Sequence, residues 1–344
     1  MKKTETAFPP NLVLEPELFS VISPCFNGEK YLPSFLNSIL NQTYPKVELV
    51  LADDGSTDNT FSIASSYIDK FNKKGFRLIV LRLDTNRGQA AAINYCLKYY
   101  TGHYLMWMDS DDVLYENAIE EKVKYLKKNS DLDFCINEGV FIEDGKIIGR
   151  LRREKPIGED NLFEDLIYEN NVVFGPGSIC IKTEAFKRAI PTQQIFESRE
   201  GQNWQLMLPI SYNCKWGYIE EPLFACIVHA DSHSRMKRDY EQEKKRLDNF
   251  EELLCTTING ISEMSQEERS LWAARIHIKT LNKKLNLSLV NRKKNDYQSY
   301  KKALKKRRVK VSIKKAYSLY PMISIYETIK QFCKQLHGKK NDNN

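Results

Sequence analysis

Four short apolar runs punctuate the N-terminal part of the chain, at residues 18–25 (LFSVISPC), 46–52 (KVELVLA), 76–83 (FRLIVLRL) and 104–108 (YLMWM). Each is short and ends in turn-forming or charged residues, the pattern of a strand buried on both faces. Between them the period changes. Tyr31, Leu32, Phe35, Leu36, Ile39 and Leu40 share one face of a helix, Ile63, Ala64, Tyr67, Ile68 and Phe71 share a second, and residues 90–100 form an Ala-rich third. Strands alternating with helices at this spacing predict a parallel sheet with right-handed crossovers.

Further along, residues 131–141 predict another strand, paired with 145–151 through the turn at Glu143, Asp144 and Gly145, and residues 161–170 predict a short helix. The stretch 174–178 (FGPGS) reads as a turn before the apolar Ile179, Cys180 and Ile181 and a helix from Thr183. Glu221 and Pro222 open a strand over 223–228 that ends at His229. Beyond Arg235 the pattern is helical and highly charged, over 240–258, 266–285 and 297–306.

The geometry of a parallel sheet gives these turns a common address, because every strand-to-helix turn leaves from the same edge. Pro24 to Asn27, Asp53 and Asp54, Asn86 and Arg87, and Asp109 to Asp112 therefore meet in one crevice. Clustered carboxylates repel unless a cation or ligand donors separate them. An Asp-x-Asp at a strand's carboxyl end, here Asp109 and Asp111, offers hard oxygen ligands to Mg²⁺ or Mn²⁺. Other nucleotide folds are excluded at the same turns. The first turn lacks G-x-G-x-x-G, and no G-x-x-x-x-G-K-[ST] occurs.

Composition narrows the picture. With 344 residues, 42% hydrophobic and 28% charged, the chain can bury a sizeable core in about two domains. Eight cysteines without a C-x-x-C pair suggest neither a zinc site nor a disulfide framework, and a reducing cytoplasm fits them. No apolar leader segment and no membrane-spanning run is visible. The net charge of +7 is uneven, since residues 301–310 (KKALKKRRVK) concentrate positive charge. The apolar residues mixed with lysine over 309–336 read either as a helical extension packed on the rest or as a basic amphipathic surface for anionic lipid. Nucleic acid is not expected, because basic and aromatic residues form no recognisable motif.

Taken in order, residues 21–27 (VISPCFN) with Tyr31 and Leu32, 53–58 (DDGSTD), 86–88 (NRG) with Ala92 and Asn94, and 109–112 (DSDD) resemble a family 2 glycosyltransferase of the GT-A fold. The resemblance covers about residues 17–232. It implies an α/β fold, a GT-A type, Rossmann-like, mostly parallel sheet flanked by helices, here followed by a helical C-terminal extension. It also implies a catalytic domain over 17–234 divided into a nucleotide-sugar half (17–112) and an acceptor half (113–234), which leaves an N-terminal arm over 1–16 and, by its charged helical pattern, a basic helical region over 235–344.

By the same resemblance, Pro24, Phe26, Asn27, Asp54, Asn86 and Arg87 hold the nucleotide sugar, Asp109 faces the donor's ribose, and Asp111 with His229 binds the metal. Gly177 and Ser178 of the Gly175–Ser178 loop, with Gln202, Asn203 and Trp204, are acceptor-side candidates. The family's catalytic base is usually the acid of a Glu-Asp pair before an aromatic residue, and here Gln202 and Asn203 precede Trp204. An amide cannot accept a proton as a carboxylate does. Glu200, three residues before Asn203 and one turn away if the segment is helical, is the candidate base, with Glu197 and Asp112 as alternatives. The expected activity is inverting, metal-dependent transfer from a nucleotide diphosphate sugar, a UDP-sugar first, to a saccharide or lipid-linked saccharide. The expected setting is surface polysaccharide assembly at the cytoplasmic side of a bacterial membrane, with peripheral attachment. The rival readings are a catalytically silent nucleotide-sugar-binding protein and a sugar nucleotidyltransferase, whose glycine-rich basic first turn the chain lacks.

Overall fold

The computed structural model describes residues 13–153, 161–170, 172–173, 175–229 and 238–307. Expectations for the arm before Val13, for Phe174, for the Ser/His stretch after His229 and for the tail from Arg308 lie outside the described residues. The described residues fall into two compact units, one within 13–229 with 256–264, the other within 238–255 with 265–307.

The first unit opens with β1 (Glu15–Cys25), α1 (Leu32–Leu40), β2 (Val47–Asp53), α2 (Thr60–Ser66), α3 (Ile68–Lys74), β3 (Arg77–Arg82), α4 (Gln89–Cys96) and β4 (Gly102–Trp107). These strands lie parallel in the order β3-β2-β1-β4, so the four turns do leave one edge. The strands are apolar because both faces are covered. β2 is buried along its whole length, and the alanines of α4 let that helix lie close against β1 and β2.

One predicted helix is two. The Ser65 hydroxyl donates back to the Phe61 carbonyl and the Ser66 hydroxyl to the Ile63 carbonyl, a competition that weakens a helix, and the chain restarts as α3 after Tyr67.

The second half of the unit continues with β5 (Val113–Leu114), α5 (Ala118–Lys128), β6 (Phe134–Glu143), β7 (Lys146–Leu151), α6 (Leu162–Tyr168), β8 (Ile179–Lys182), α7 (Thr183–Ala189), α8 (Gln202–Asn213) and β9 (Trp216–Ile227). β8 runs antiparallel to β4, and the sheet continues through β6 and β9 to β5, with β7 hairpinned onto β6. Two features depart from the sequence reading. β9 begins at Trp216 rather than Leu223, because register shifts against β6 around Asn137 and Glu138 absorb Pro222, which has no N–H to give the ladder. And β5, only two residues long, was not expected at all, yet it pins the stretch after the acidic triplet to β9.

The second unit is helical. Its described part comprises most of α9 (Tyr240–Asn259) with α10 (Gln266–Val290) and α11 (Lys294–Lys306). α10 starts with a capping box between Ser265 and Glu268. α10 and α11 close on each other through Leu281, Leu285 and Leu304, with Ile278, Tyr297, Tyr300 and Ala303 alongside.

Candidate active site

The first two turns are laced together by hydrogen bonds. Asn27, in the left-handed region at φ 48°, donates its backbone N–H to Ser56 Oγ at 2.8 Å, and its Oδ1 accepts from the Thr57 N–H at 2.9 Å. The Gly28 N–H reaches Thr60 Oγ1 at 2.8 Å. The third turn is clamped by Asp54, whose two oxygens accept from the N–H groups of Arg87 (2.9 Å) and Gly88 (2.7 Å). Gly55 seals this arrangement. Its φ is 71°, and a Cβ there would meet the backbone carbon of Thr85 at 2.6 Å. Asp54 thus shapes the turn carrying Asn86 and Arg87. Phe26, with 44% of its surface exposed, stands free at the rim, where a flat ring can stack on a base.

The third turn is also braced from outside. Arg87 Nη2 contacts both carboxylate oxygens of Glu197 (3.0 and 2.7 Å), and Arg199 Nη1 donates to Asn86 Oδ1 at 2.6 Å. Behind them Asn94 and Ile195 exchange two hydrogen bonds of 2.8 Å. The segment before α8 is therefore fastened to the turn after β3 and to α4, a relation that no local pattern encodes.

The acidic triplet lies past the end of β4. Ligand oxygens of Asp109, Asp111 and Asp112 lie within 4.8 Å of one another. Crowding has electrostatic consequences. Burial, with the Asp111 charge adding to it, pushes the Asp109 carboxyl up to about 7. Burial, then the charges of Asp109 and Asp111, raise Asp112 well above the carboxylate range, although its Oδ1 accepts from the Ile227 N–H at 2.9 Å. The pairing of β5 with β9 brings the end of β9 here, and His229 Nε2 lies 2.9 Å from Asp111 Oδ2. The His229 ring stacks on Tyr31, with centroids 4.1 Å apart. His229 Nδ1 and the Tyr31 hydroxyl are buried without a hydrogen-bond partner among the described residues. Three clustered carboxylates supply hard oxygen donors and the imidazole a borderline nitrogen, a set compatible with Mn²⁺ or Mg²⁺, and the Asp111 charge that adds to the rise of Asp109 is what such a cation offsets.

The acceptor-side candidates fall on two segments, the loop before β8 and the start of α8. The Gly177 N–H donates to the Trp107 carbonyl at 2.9 Å, so this loop is tied to the last residue of β4. Its anchor is a residue the sequence reading missed. Lys122 is wholly buried and donates from Nζ to the Gly177 carbonyl at 2.7 Å and to Asn137 Oδ1. Burial lowers its ammonium to about 8. A signal existed, since Lys122 falls between Ala118 and Leu126 in the buried stripe of α5. Ser178 Oγ and Asn203 Oδ1 are buried without partners among the described residues, while Trp204 Nε1 donates to the Leu166 carbonyl of α6 at 3.1 Å.

Glu200 and Asn203 do not share a helix. Gly201, at φ 58°, breaks the chain before α8 begins at Gln202, so their separation is set by a left-handed turn. Among the three carboxylates considered as base, Glu197 is held by Arg87 and Asp112 is buried and bonded to Ile227. Glu200, partly buried, makes no ion pair among the described residues, its backbone N–H donating to Ser198 Oγ at 3.1 Å.

A mostly parallel sheet with an acidic corner at its carboxyl edge defines an α/β protein of the GT-A type. The family model described as glycosyl transferase family 2 matches residues 20–189, which supports a family 2 glycosyltransferase. It is 32% identical over 191 residues to the uncharacterized glycosyltransferase RC0461 of Rickettsia conorii, covering 52% of this chain but only 30% of that protein's length. It is 30% identical over 148 residues to the Escherichia coli UDP-Glc:alpha-D-GlcNAc-diphosphoundecaprenol beta-1,3-glucosyltransferase WfgD, covering 43% of this chain and 56% of that one. Among solved structures, Staphylococcus aureus TarS 1–349 in complex with UDP-GlcNAc matches with a TM-score of 0.62 at 19% identity, over 82% of this chain and 79% of TarS 1–349. The mannosyltransferase PcManGT from Pyrobaculum calidifontis, in complex with GDP-Man and Mn²⁺, matches with a TM-score of 0.53 at 17% identity, over 98% of this chain and 92% of that one.

Proposed function

We propose that the chain is an inverting, metal-dependent glycosyltransferase that moves a sugar from a nucleotide diphosphate sugar, first among them a UDP-sugar, to a hydroxyl of a saccharide acceptor. The observation that carries this reading is the meeting of Asp109, Asp111 and His229 at the sheet edge that also holds the laced turns of Asn27 and Asp54. In it, Pro24, Phe26 and Asn27 line the base, Asp54 shapes the turn of Asn86 and Arg87, and Asp109 faces the ribose. Asp111 and His229 hold a divalent cation that, when bound, offsets the charge of the leaving diphosphate.

Glu200 takes the proton of the acceptor hydroxyl, whose oxygen bonds to the anomeric carbon as the bond to the diphosphate breaks. The unpartnered oxygens of Ser178 and Asn203 support an acceptor bound beside Gly177, Gln202 and Trp204, because buried polar atoms without partners are rare. A lipid-linked saccharide is the acceptor class we favour, as WfgD is named for a diphosphoundecaprenol substrate. The setting that follows is surface polysaccharide assembly with peripheral attachment at the inner face of the membrane.

The test is a thermal-shift and donor-hydrolysis screen over UDP- and GDP-sugars with Mn²⁺, in which a ligand at 100 times its Kd stabilises by about 2.7 kcal/mol. No shift with any nucleotide sugar would remove the reading. The amides Gln202 and Asn203 in place of an acid pair favour one alternative, a silent nucleotide-sugar-binding protein. Binding without hydrolysis or transfer would select it.

A further inference from the structure

We propose that the outward side of α11 is an electrostatic docking surface for an anionic lipid bilayer, and that it holds the bilayer without inserting into it. The inference rests on the lipid-linked acceptor reading for its choice of partner and on the second unit alone for its geometry.

The apolar side of α11 is already occupied. Leu304 is fully buried, and Tyr297, Tyr300 and Ala303 pack with it against Leu281 and Leu285 of α10. An amphipathic helix whose apolar stripe is used inside its own fold has nothing left to push between acyl chains. What it shows to solvent is charge of one sign. Lys302 and Lys306 stand opposite Leu304 on the helix, with Lys294 and Lys305 on a flank and Arg292 just before the helix start.

Elsewhere in the unit many charges are matched, with Lys244 paired to Glu241, Arg246 to Glu243, and Asp248 and Glu251 paired to Lys284 and His277 of α10, while Lys245 of α9 has no ion pair among the described residues. The single acid of α11, Asp296, is engaged by the Tyr240 hydroxyl and Lys244. Arg292, Lys294, Lys302, Lys305 and Lys306 have no ion pair among the described residues, whereas Lys293 and Lys301 lie over tyrosine rings. A row of unmatched cations on one helix side is a cost in self-repulsion that an opposing anionic surface removes.

Charge complementarity alone does not choose between a bilayer and a nucleic acid, but the aromatic residues do. Single-stranded nucleic acid needs rings presented among the cations for base stacking, and here both tyrosines of α11 are turned into the seam with α10. A planar anionic surface asks only for positive charge within a Debye length.

The experiment is flotation of the full chain with vesicles of equal phosphatidylglycerol and phosphatidylcholine, and with phosphatidylcholine alone, at low and high salt. The expected result is flotation with the anionic vesicles only, reversed by high salt. The triple variant Lys302→Gln, Lys305→Gln, Lys306→Gln should lose about 100-fold in partitioning, since each lysine near an anionic leaflet is worth roughly fivefold. Donor hydrolysis should be unchanged in that variant. Arg292→Gln with Lys294→Gln, at the other end of the same side, should lose about 25-fold and guards against a folding artefact. Wild-type-like flotation of the triple variant, flotation that survives high salt, or tighter binding to a single-stranded oligonucleotide than to the vesicles would each overturn the inference. Normal flotation without donor hydrolysis in the wild type would instead strike the enzymatic reading and leave the surface standing.

Discussion

The imidazole of His229 lies nearly parallel to the ring of Tyr31, with planes 21° apart and centroids 4.1 Å apart, while its Nε2 meets Asp111 Oδ2 at 2.9 Å. Tyr31 directly precedes α1 at the end of the first turn, so the stack joins that turn to the acidic corner. An outer partner that hydrogen-bonds and orients a ligand histidine is typically worth 10- to 100-fold in metal affinity, and the Tyr31 stack, which orients the ring without a hydrogen bond, falls at the lower end of that range. Tyr31→Ala should therefore weaken Mn²⁺ binding about tenfold, and Tyr31→Phe, which keeps the stack, should leave it nearly intact. Counting free Mn²⁺ by electron paramagnetic resonance reads this without turnover. Equal affinities for the Ala and wild-type proteins would show that the stack serves packing only.

The acidic corner itself predicts metal dependence. Chelation should abolish donor hydrolysis and transfer, and Asp111→Asn should lower both by orders of magnitude with the thermal midpoint of the fold maintained. A variant that works fully in EDTA would rule out the role given to Asp111.

For proton transfer, general-base help is worth about 10²- to 10⁴-fold, so Glu200→Gln should lose that much in kcat with donor affinity unchanged. Glu197→Gln should behave differently. It frees Arg87 from its partner and should raise the donor KM more than it lowers kcat. The reverse pattern in the two variants would move the base to Glu197. Asn203→Asp places a carboxylate directly before Trp204, and a strong loss of rate would give the amide a task of its own.

The buried ammonium of Lys122 makes a prediction about pH. Its folded value, near 8, lies below its ordinary value of 10.5, so between the two the unfolded chain binds more protons and stability rises with pH. The cost of burying the charge is fully present below about pH 8 and is relieved toward pH 10, an effect on the order of 3 kcal/mol. Urea unfolding of wild type and Lys122→Met at pH 7.5 and pH 10 reads it, because groups other than Lys122 and the neighbouring thiols of Cys135 and Cys180 titrate alike in both. The wild type should gain stability relative to the variant over that interval, and parallel curves would contradict the assignment.

How far the sequence speaks depends on whether the signal is local. The β1 to β4 half is legible because each strand, turn and helix is written contiguously, and edge geometry then places Asn27, Asp54, Asn86 and Asp109 together. The rest is carried by pairs distant in the chain. β5 is too short for any periodicity, yet it sets Val113 against Ala225 and so brings His229 to Asp111. Pro222 looked like a strand start because the shift in β6 that accommodates it belongs to another strand. Glu200 looked helical with Asn203 because the left-handed turn at Gly201 is a single-residue event inside a helical pattern. The pairing of Arg87 with Glu197 is tertiary, and nothing near either residue announces it.

The short pairing between β5 and β9 also has a consequence for synthesis. As the chain leaves the ribosome, the parallel half is complete long before β9 emerges, and domains are built from the N-terminus onward. Until Phe224 and Ala225 arrive to pair with Leu114 and Val113, the acids have no histidine beside them, and the buried oxygen of Asp112 has no Ile227 N–H to accept from. A nascent chain can thus assemble the laced turns of Asn27, Asp54 and Asn86 while the acidic corner still lacks its histidine, so this corner is completed last, after the turns that precede it in the chain.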